Sequence, residues 1–485
     1  MEPRTLDSVL SDIVVLNETI TATSITGIAY RSDAVRPGDV FFCIPGFVHD
    51  GHDFAVDAVE RGAVMVIVQR IVAGIDESLQ VVVPDTRVAL AHASAALNGD
   101  PSRAVRIVGI TGTNGKTTTC YLVDSIMRAA GDKTGVVGTV ETRIGDRRIE
   151  ASRTTPESAD LQVLLARMRD EGVDSCAMEV SSHAIDLHRV DGVRFAVVAF
   201  TNLTQDHLDY HSSIEEYFSV KRRLFTEFEA VSRVVNIDDP LGAAMACELD
   251  VDITVGLSED ADVRAVDLVL GAHGSTFTLS TPAGDAAVSL PLAADYNVSN
   301  ALVAAGSALA LGVSLADIVV GLEGAPQVPG RLERVDEGQS FAVLVDYAHT
   351  PDSLAKATRA VKEVTQGRVI VVFGAGGDRD PEKRSLMGQA AANEADHIVI
   401  TSDNPRSEDP VGIILQIQDG LSGTNTTHET HVDRREGIAA AIRMAGPGDA
   451  VLIAGKGHED YQIFSDRTIH FDDREVAREE LKRLC

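Results

Sequence analysis

The stretch ITGTNGKTTTC, residues 110–120, combines the residue types that hold phosphate groups. Glycines let backbone N–H groups point inward, and a helix N-terminus favours anions. Lys116 supplies positive charge, and a threonine hydroxyl beside it can ligate magnesium. The usual nucleotide loop has four residues between its first glycine and the Gly-Lys-[Ser/Thr]. Here only two separate Gly112 from Gly115. Taken alone, the loop indicates a nucleotide and not a reaction.

Two further segments carry chemistry. AMEVSSHAIDLHRV contains Glu179, Ser181, Ser182, His183 and Arg189, and FTNLTQDHLDYH contains Asp206, His207, Asp209 and His211. A carboxylate and an imidazole at strand ends beside a phosphate loop suit a second divalent cation. Any one of these residues alone is equally well a surface or helix-cap residue; their joint placement is what points to a site. Lys221 lies fourteen residues beyond His207, inside the helical-looking SIEEYFSVKRRLF. An ammonium cannot ligate magnesium, and a solvated helix position is the ordinary reading of a lysine.

These residues need a scaffold. VRIVGI, before the loop, is a short apolar run, and TTTCYLVDSIMRAAG has helical spacing closed by Gly131. VDSCAMEV and RFAVVAF read as buried strands. FAVLVDY, RVIVVFG, ADHIVIT and AVLIAG repeat the style nearer the C-terminus. Both regions therefore read as α/β, doubly wound parallel sheets whose ligands sit beyond the carboxyl ends of the strands. VRPGDVFF, AVMVIV and LQVVVPD predict a smaller α/β unit in the first hundred residues. Breakers cluster at Asn98, Gly99, Asp100 and Pro101, and again at Gly324, Pro326, Pro329 and Gly330. They divide the 485 residues into 1–100, 101–326 and 327–485.

Forty-four per cent apolar residues is ordinary for a chain that buries real cores. The charge, 43 − 73 = −30, disfavours nucleic acid and anionic membrane as partners. The N-terminus lacks a signal-peptide pattern, and no apolar run approaches the roughly 18 residues of a membrane span. Cysteines 43, 120, 176, 247 and 485 form no C-x-x-C and fit a reducing cytoplasm. The expectation is a cytoplasmic monomer with small-molecule partners, no nucleic acid and no membrane insertion.

TGTNGKTT, MEVSSH, TNLTQDHLDYH and the spaced Lys221 resemble the Mur ligases of peptidoglycan synthesis, whose phosphate loop has this same shortened form. The resemblance runs along the whole chain. It implies three domains: a small N-terminal α/β domain for the UDP substrate, a central P-loop-type mononucleotide-binding parallel sheet for ATP, and a C-terminal Rossmann-like domain for an amino acid. SRTTP is similar to the family's UDP-sugar contact, which implies roles for Thr154 and Thr155 with Ser181, Arg189 and Ser32. VVNIDDP (Asn236, Asp238, Asp239) and ADYNVSN (Asn297, Asn300) are similar to its adenine-side motifs. PGRLERV (Arg331, Glu333) and DYAHTPDSL (Asp346, Tyr347, His349, Pro351) are similar to the opening of its C-terminal domain. The implied nucleotide set is Gly112, Thr113, Asn114, Gly115, Lys116, Thr117, Thr118, Asn297, Asn300, Arg331 and Asp346. The implied catalytic set is Lys116, Lys221, Glu179, His207 and His349. Two magnesium ions are implied, on Thr117, Glu179 and His207, with Lys221 carbamylated by CO₂ to N6-carboxylysine.

The implied reaction is ATP-dependent amide ligation through an acyl phosphate. FGAGGDRDPEKRSLM, SDNPRSEDP and AGKGHEDYQ resemble the branch that adds the third stem-peptide residue to a UDP-muramoyl dipeptide. The implied amino-acid contacts are Arg379, Asp403, Asn404, Arg406, Gly455 and Glu459. The DNPR form implies meso-diaminopimelate. The guanidinium of Arg406 can pair bidentately with its distal carboxylate, whereas lysine would bring an ammonium there. The alternatives are the same ligase adding L-lysine or another diamino acid, and folylpolyglutamate synthase. YRSDAVRPGDVFFCIPGFVHDGHDF, including Asp50, Gly51 and His52, resembles the uridine segment, but Arg31-Ser32-Asp33 replaces the family's usual Asp-Ser-Arg.

Overall fold

A computed structural model describes residues 4–484 apart from 12, 18–22, 150–152, 205–209 and 272–273. Near the N-terminus, β1 (Gly27–Ala29), β2 (Asp39–Phe42), β3 (Met65–Val68) and β4 (Gln80–Val82) form a parallel sheet in that order. Helix α1 (Thr86–Leu97) follows, its N-cap Asp85 accepting from Arg87 N and Val88 N.

The largest sheet contains β5 (Arg106–Thr111), which feeds the phosphate loop and then α2 (Lys116–Ala129). It continues with β6 (Thr134–Val137), β7 (Thr142–Ile144), β8 (Arg147–Ile149), β9 (Ser175–Glu179) and β10 (Phe195–Phe200). After α3 (Ile214–Thr226) come β11 (Ala230–Asn236), β12 (Ile253–Gly256), β13 (Val263–Gly271), β14 (Gly274–Thr281), β15 (Gly284–Leu290) and α4 (Asp295–Ala310). The strand order is β8-β7-β6-β9-β5-β10-β11-β12-β13-β14-β15. Its middle, β6 to β13, is parallel, and at its centre β5 is buried on both faces: Ile107 packs into one apolar cluster, Val108 and Ile110 into the other. That double burial explains why these strands read as continuous apolar runs. Antiparallel strands close both edges, an addition to the expected parallel core. In β14 the buried Ser275, Phe277 and Leu279 alternate with more exposed threonines, the period-2 mark of a half-buried strand.

The last sheet has the order β16 (Glu333–Arg334), β17 (Ala342–Asp346), β21 (Ala450–Ala454), β18 (Val369–Phe373), β19 (His397–Thr401), β20 (Thr427–His431). All pairs but β16–β17 are parallel. Helix α5 (Pro351–Val364) starts with a capping box between Thr350 and Ser353 and proline at its first position, which satisfies orphan donors and presets φ. Helices α6 (Arg434–Met444) and α7 (Asp473–Leu484) cover one face. No helix among the described residues is long and apolar enough to cross a membrane.

Candidate active site

The loop after β5 turns sharply because Gly115 adopts φ 86°, and a Cβ there would lie 2.1 Å from Asn300 Oδ1. Only glycine permits both the backbone angle and the approach of α4. The strand-end segment after β10 holds the loop. Thr113 N donates to Asn202 O (2.8 Å), Asn114 N to Asn202 Oδ1 (3.0 Å) and Thr201 Oγ1 to Asn114 O (2.6 Å). Lys116 Nζ folds back onto the carbonyls of Gly112 (2.8 Å) and Thr113 (2.7 Å). Lys221 Nζ, from α3, donates to the same Gly112 carbonyl at 2.9 Å and sits 4.5 Å from the Tyr217 ring centroid. Its side chain is almost fully buried, so the solvated-helix reading does not hold.

Glu179 ends β9 and is 1% exposed. Its Oε1 accepts from Thr117 Oγ1 (3.0 Å) and Thr139 N (2.9 Å), and its Oε2 from Thr139 Oγ1 (3.1 Å). All of these donors are neutral, and among the described residues the carboxylate has no ion-pair partner. A buried anion held only by neutral donors fits a cation beside it. His207, expected to share that cation, lies outside the described residues, and the described residues alone contain no cluster of three His, Cys, Asp or Glu side chains suited to a metal. Thr139 was missed by sequence reading, for it sits in an ordinary turn after β6 and only the fold brings it to Glu179.

Residues 113–118, Glu179 and Lys221 line a cavity of about 590 Å³, together with Asn297, Asn300, Arg331, Asp346 and His349 from the expected nucleotide and catalytic sets. Arg331 reaches Thr117 Oγ1 (3.3 Å) and lies over the Tyr347 ring at 4.8 Å. Both oxygens of Asp346 accept from backbone amides, Leu332 N (2.7 Å) and Ala348 N (2.8 Å), and burial raises its pKa. His349 Nδ1 donates to Tyr347 O (2.8 Å). Asp238 and Asp239 also line the cavity, although Asp239 is occupied as the cap of the following helix.

A second cavity of about 350 Å³ opens at the carboxyl ends of β18, β19 and β21. All six residues expected to hold the amino acid line it. Asn404 Nδ2 donates to Glu459 Oε2 (2.9 Å), and Arg406 Nη1 to Gly377 O (2.7 Å). Gly455 adopts φ 115°, and a Cβ there would fall 2.6 Å from Asp403 Oδ2. Burial raises the pKa of Glu459. Lys456, with no exposed surface, donates to Asn404 Oδ1 (3.0 Å) and fixes which way that amide points. Its place in AGKGHEDYQ was the available signal for it. Tyr347 and His349 line both cavities and so join them.

The residues expected to meet a UDP-linked substrate are dispersed. Thr154 and Ser181 line the larger cavity. Thr155 and Arg189 lie outside its lining. Thr155 Oγ1 donates to Glu179 O (2.8 Å), while Arg189 donates to Thr155 O (3.3 Å) and pairs with Glu157 (3.0 Å). Ser32 lines neither cavity; it begins a short turn, Ser32–Ala34, in the N-terminal unit. Beside it, the reversed charges Arg31 and Asp33 pair with each other at 2.6 Å, both mostly exposed. His52 is buried and satisfied, its Nδ1 donating to Asp50 (2.6 Å) and its Nε2 accepting from Gln69 N (3.0 Å).

Family models match three stretches: the Mur ligase family catalytic domain at 24–98, the Mur ligase middle domain at 110–308, and the Mur ligase glutamate ligase domain at 330–457. A UDP-N-acetylmuramoyl-L-alanyl-D-glutamate--2,6-diaminopimelate ligase from Geobacillus thermodenitrificans is 47% identical over 94% of this chain and 95% of its own. The ligase of the same name from Bacillus licheniformis is 45% identical over 95% of each. A solved structure of a ligase of that name superposes with a TM-score of 0.73 at 31% identity, covering 99% of both chains.

Proposed function

Because the chain belongs to the Mur ligase family, we propose that it uses ATP to join meso-diaminopimelate to the D-glutamate carboxylate of UDP-N-acetylmuramoyl-L-Ala-D-Glu, in peptidoglycan precursor synthesis. A carboxylate carbon is too poor an electrophile to meet an amine in water. Attack of a carboxylate oxygen on the γ-phosphorus of ATP, with ADP leaving, makes an acyl phosphate. The amine then adds to the carbonyl carbon, loses a proton, and phosphate departs with the C–O electron pair.

The chain's own groups match that charge flow. Backbone amides of residues 115–118 and the Lys116 ammonium surround the transferred phosphoryl group, where preorganised positive charge lowers the barrier most. Thr117 and Glu179, with His207 outside the described residues, are the side chains that would hold magnesium, which supplies charge neutralisation in phosphoryl transfer when bound. Asn297, Asn300, Arg331 and Asp346 hold the rest of the nucleotide. Thr154, Thr155, Ser181 and Arg189 flank the UDP-linked substrate. Lys221 works as a carbamate. The ammonium groups of Lys116 and the buried Lys221 both donate to the Gly112 carbonyl, and turning Lys221 into an anion removes one of two like charges at that oxygen while giving the site a second carboxylate-like group.

In the smaller cavity, Asp403 and Glu459 suit an ammonium, and Arg379, Lys383 and Arg406 suit carboxylates. That zwitterionic lining fits the amino and carboxylate ends of diaminopimelate. The observation that carries the reading is the shared Tyr347–His349 rim, across which an amine held in one cavity meets an acyl phosphate made in the other. Purified enzyme given ATP, the UDP-muramoyl dipeptide and one amino acid at a time tests the selectivity. Turnover should be fastest with meso-diaminopimelate. Faster turnover with L-lysine or ornithine would remove the diaminopimelate assignment and leave the ligase.

A further inference from the structure

Two charged side chains are wholly buried in the C-terminal unit yet line neither cavity. Arg434, at the start of α6, and Asp473, at the start of α7, face each other with 0% side-chain exposure each. Arg434 Nε donates to Asp473 Oδ1 and Nη2 to Oδ2, both at 2.7 Å. The same guanidinium donates to two main-chain carbonyls, Ser402 O (3.2 Å) and Ala454 O (3.0 Å). Ser402 immediately precedes Asp403, and Ala454 immediately precedes Gly455. Strands β19 and β21 are not neighbours, because β18 runs between them. One planar fork thus ties together two strand ends that the sheet's own hydrogen bonds do not join.

We propose that the Arg434–Asp473 pair is a positioning device for the incoming amino acid, holding Asp403 and Gly455 in register so that Asp403 and Glu459 meet its ammonium. The inference rests on the assignment of the smaller cavity to that amino acid. Stability alone is a poor reason for such a pair, since apolar residues of similar volume often serve a core as well or better. Position is a better one. Gly455 and Asp403 are already in close approach, so a small shift of either strand end changes where the Asp403 carboxylate stands. Charge agrees. Asp473 neutralises the guanidinium, so Arg434 grips the strand ends without cancelling the acidic groups above it. Asp403 and Glu459 are the two acidic groups in the cavity lining left to meet an ammonium, with Lys456 held by Asn404 and Glu459.

The test is the double variant Arg434→Met/Asp473→Leu, which leaves no unpaired buried charge, alongside Arg434→Lys, which keeps the charge but cannot fork across both carbonyls. Expected are a rise of roughly 10-fold or more in the diaminopimelate KM for the double variant, a smaller rise for Arg434→Lys, and unchanged KM for ATP and the UDP-linked substrate. A folded double variant with wild-type diaminopimelate KM overturns the inference. Wild-type enzyme gives a reading that no folding defect can spoil. Coupling is reciprocal, so saturating diaminopimelate should slow amide hydrogen exchange in the first turns of α6 and α7, and unchanged exchange there overturns the proposal. If Arg406→Ala also leaves the diaminopimelate KM untouched, the cavity assignment has failed and the inference falls with it.

Discussion

At the scale of single residues, the larger cavity concentrates charge at a few side chains, among them Lys116, Glu179, Lys221 and Arg331. Lys116 is partly exposed at the larger cavity, its Nζ donating to the loop carbonyls of Gly112 and Thr113. Lys116→Ala should therefore keep the thermal unfolding transition and lose about 3–4 kcal/mol of transition-state stabilisation in steady-state kinetics; near-normal turnover would remove the phosphate role. Lys221→Ala should be inactive, with partial recovery on adding formate or acetate, because a small carboxylate can take the vacated anionic place. Full activity together with a bare ammonium in ¹³C-bicarbonate NMR would exclude the carbamate. Arg406→Ala should cost about 2–5 kcal/mol in diaminopimelate binding while leaving the ATP KM unchanged. Glu459 must be ionised to hold an ammonium, and burial raises its pKa. Protonation therefore sets in at a higher pH than for an exposed glutamate, so the diaminopimelate KM should rise as pH falls while the ATP KM stays flat. A diaminopimelate KM that follows the ATP KM down the pH scale would count against it.

At the scale of elements, the strands that carry the site were legible because a parallel strand buried on both faces is a continuous apolar run. VRIVGI, VDSCAMEV, HIVIT and AVLIAG each appear as such in the sheets. The antiparallel edge strands were less legible, since GSTFTLST has only two large apolar residues to mark its alternation and its partners are set by turns. Thr139, Lys456 and Arg434 share another obstacle: each acts on residues distant in sequence or turned toward it only by the fold. One inter-element pair gives a pH prediction. Arg384, buried in the helix Glu382–Glu394, forks onto Glu408, whose pKa is lowered to about 2 from 4.5, chiefly by that guanidinium and then by Asp378 N–H. A carboxylate depressed in the folded state stabilises fully above its unfolded pKa and loses that contribution as pH falls toward its folded one. In urea titrations, Glu408→Gln should thus be least stable relative to wild type near neutrality, with the gap narrowing as pH drops from 4.5 toward 2. A gap that widens on acidification would contradict the pairing.

At the scale of the whole molecule, the two larger sheets each open a cavity beyond the carboxyl ends of their parallel strands, and the two cavities join at Tyr347 and His349. The proposed function puts phosphoryl transfer in the larger cavity and amine capture in the smaller. An NTPase switch would not need the second, and release of phosphate should accordingly depend on every substrate at once. The most direct measurement follows oxygen: a UDP-muramoyl dipeptide with ¹⁸O in its D-glutamate carboxylates, incubated with enzyme, ATP and meso-diaminopimelate, and the released phosphate analysed by mass spectrometry. An acyl phosphate must hand one carboxylate oxygen to the departing phosphate, so each turnover should yield one labelled phosphate, and none should form when the dipeptide or the amino acid is left out. Unlabelled phosphate, or phosphate released without either substrate, would contradict the account.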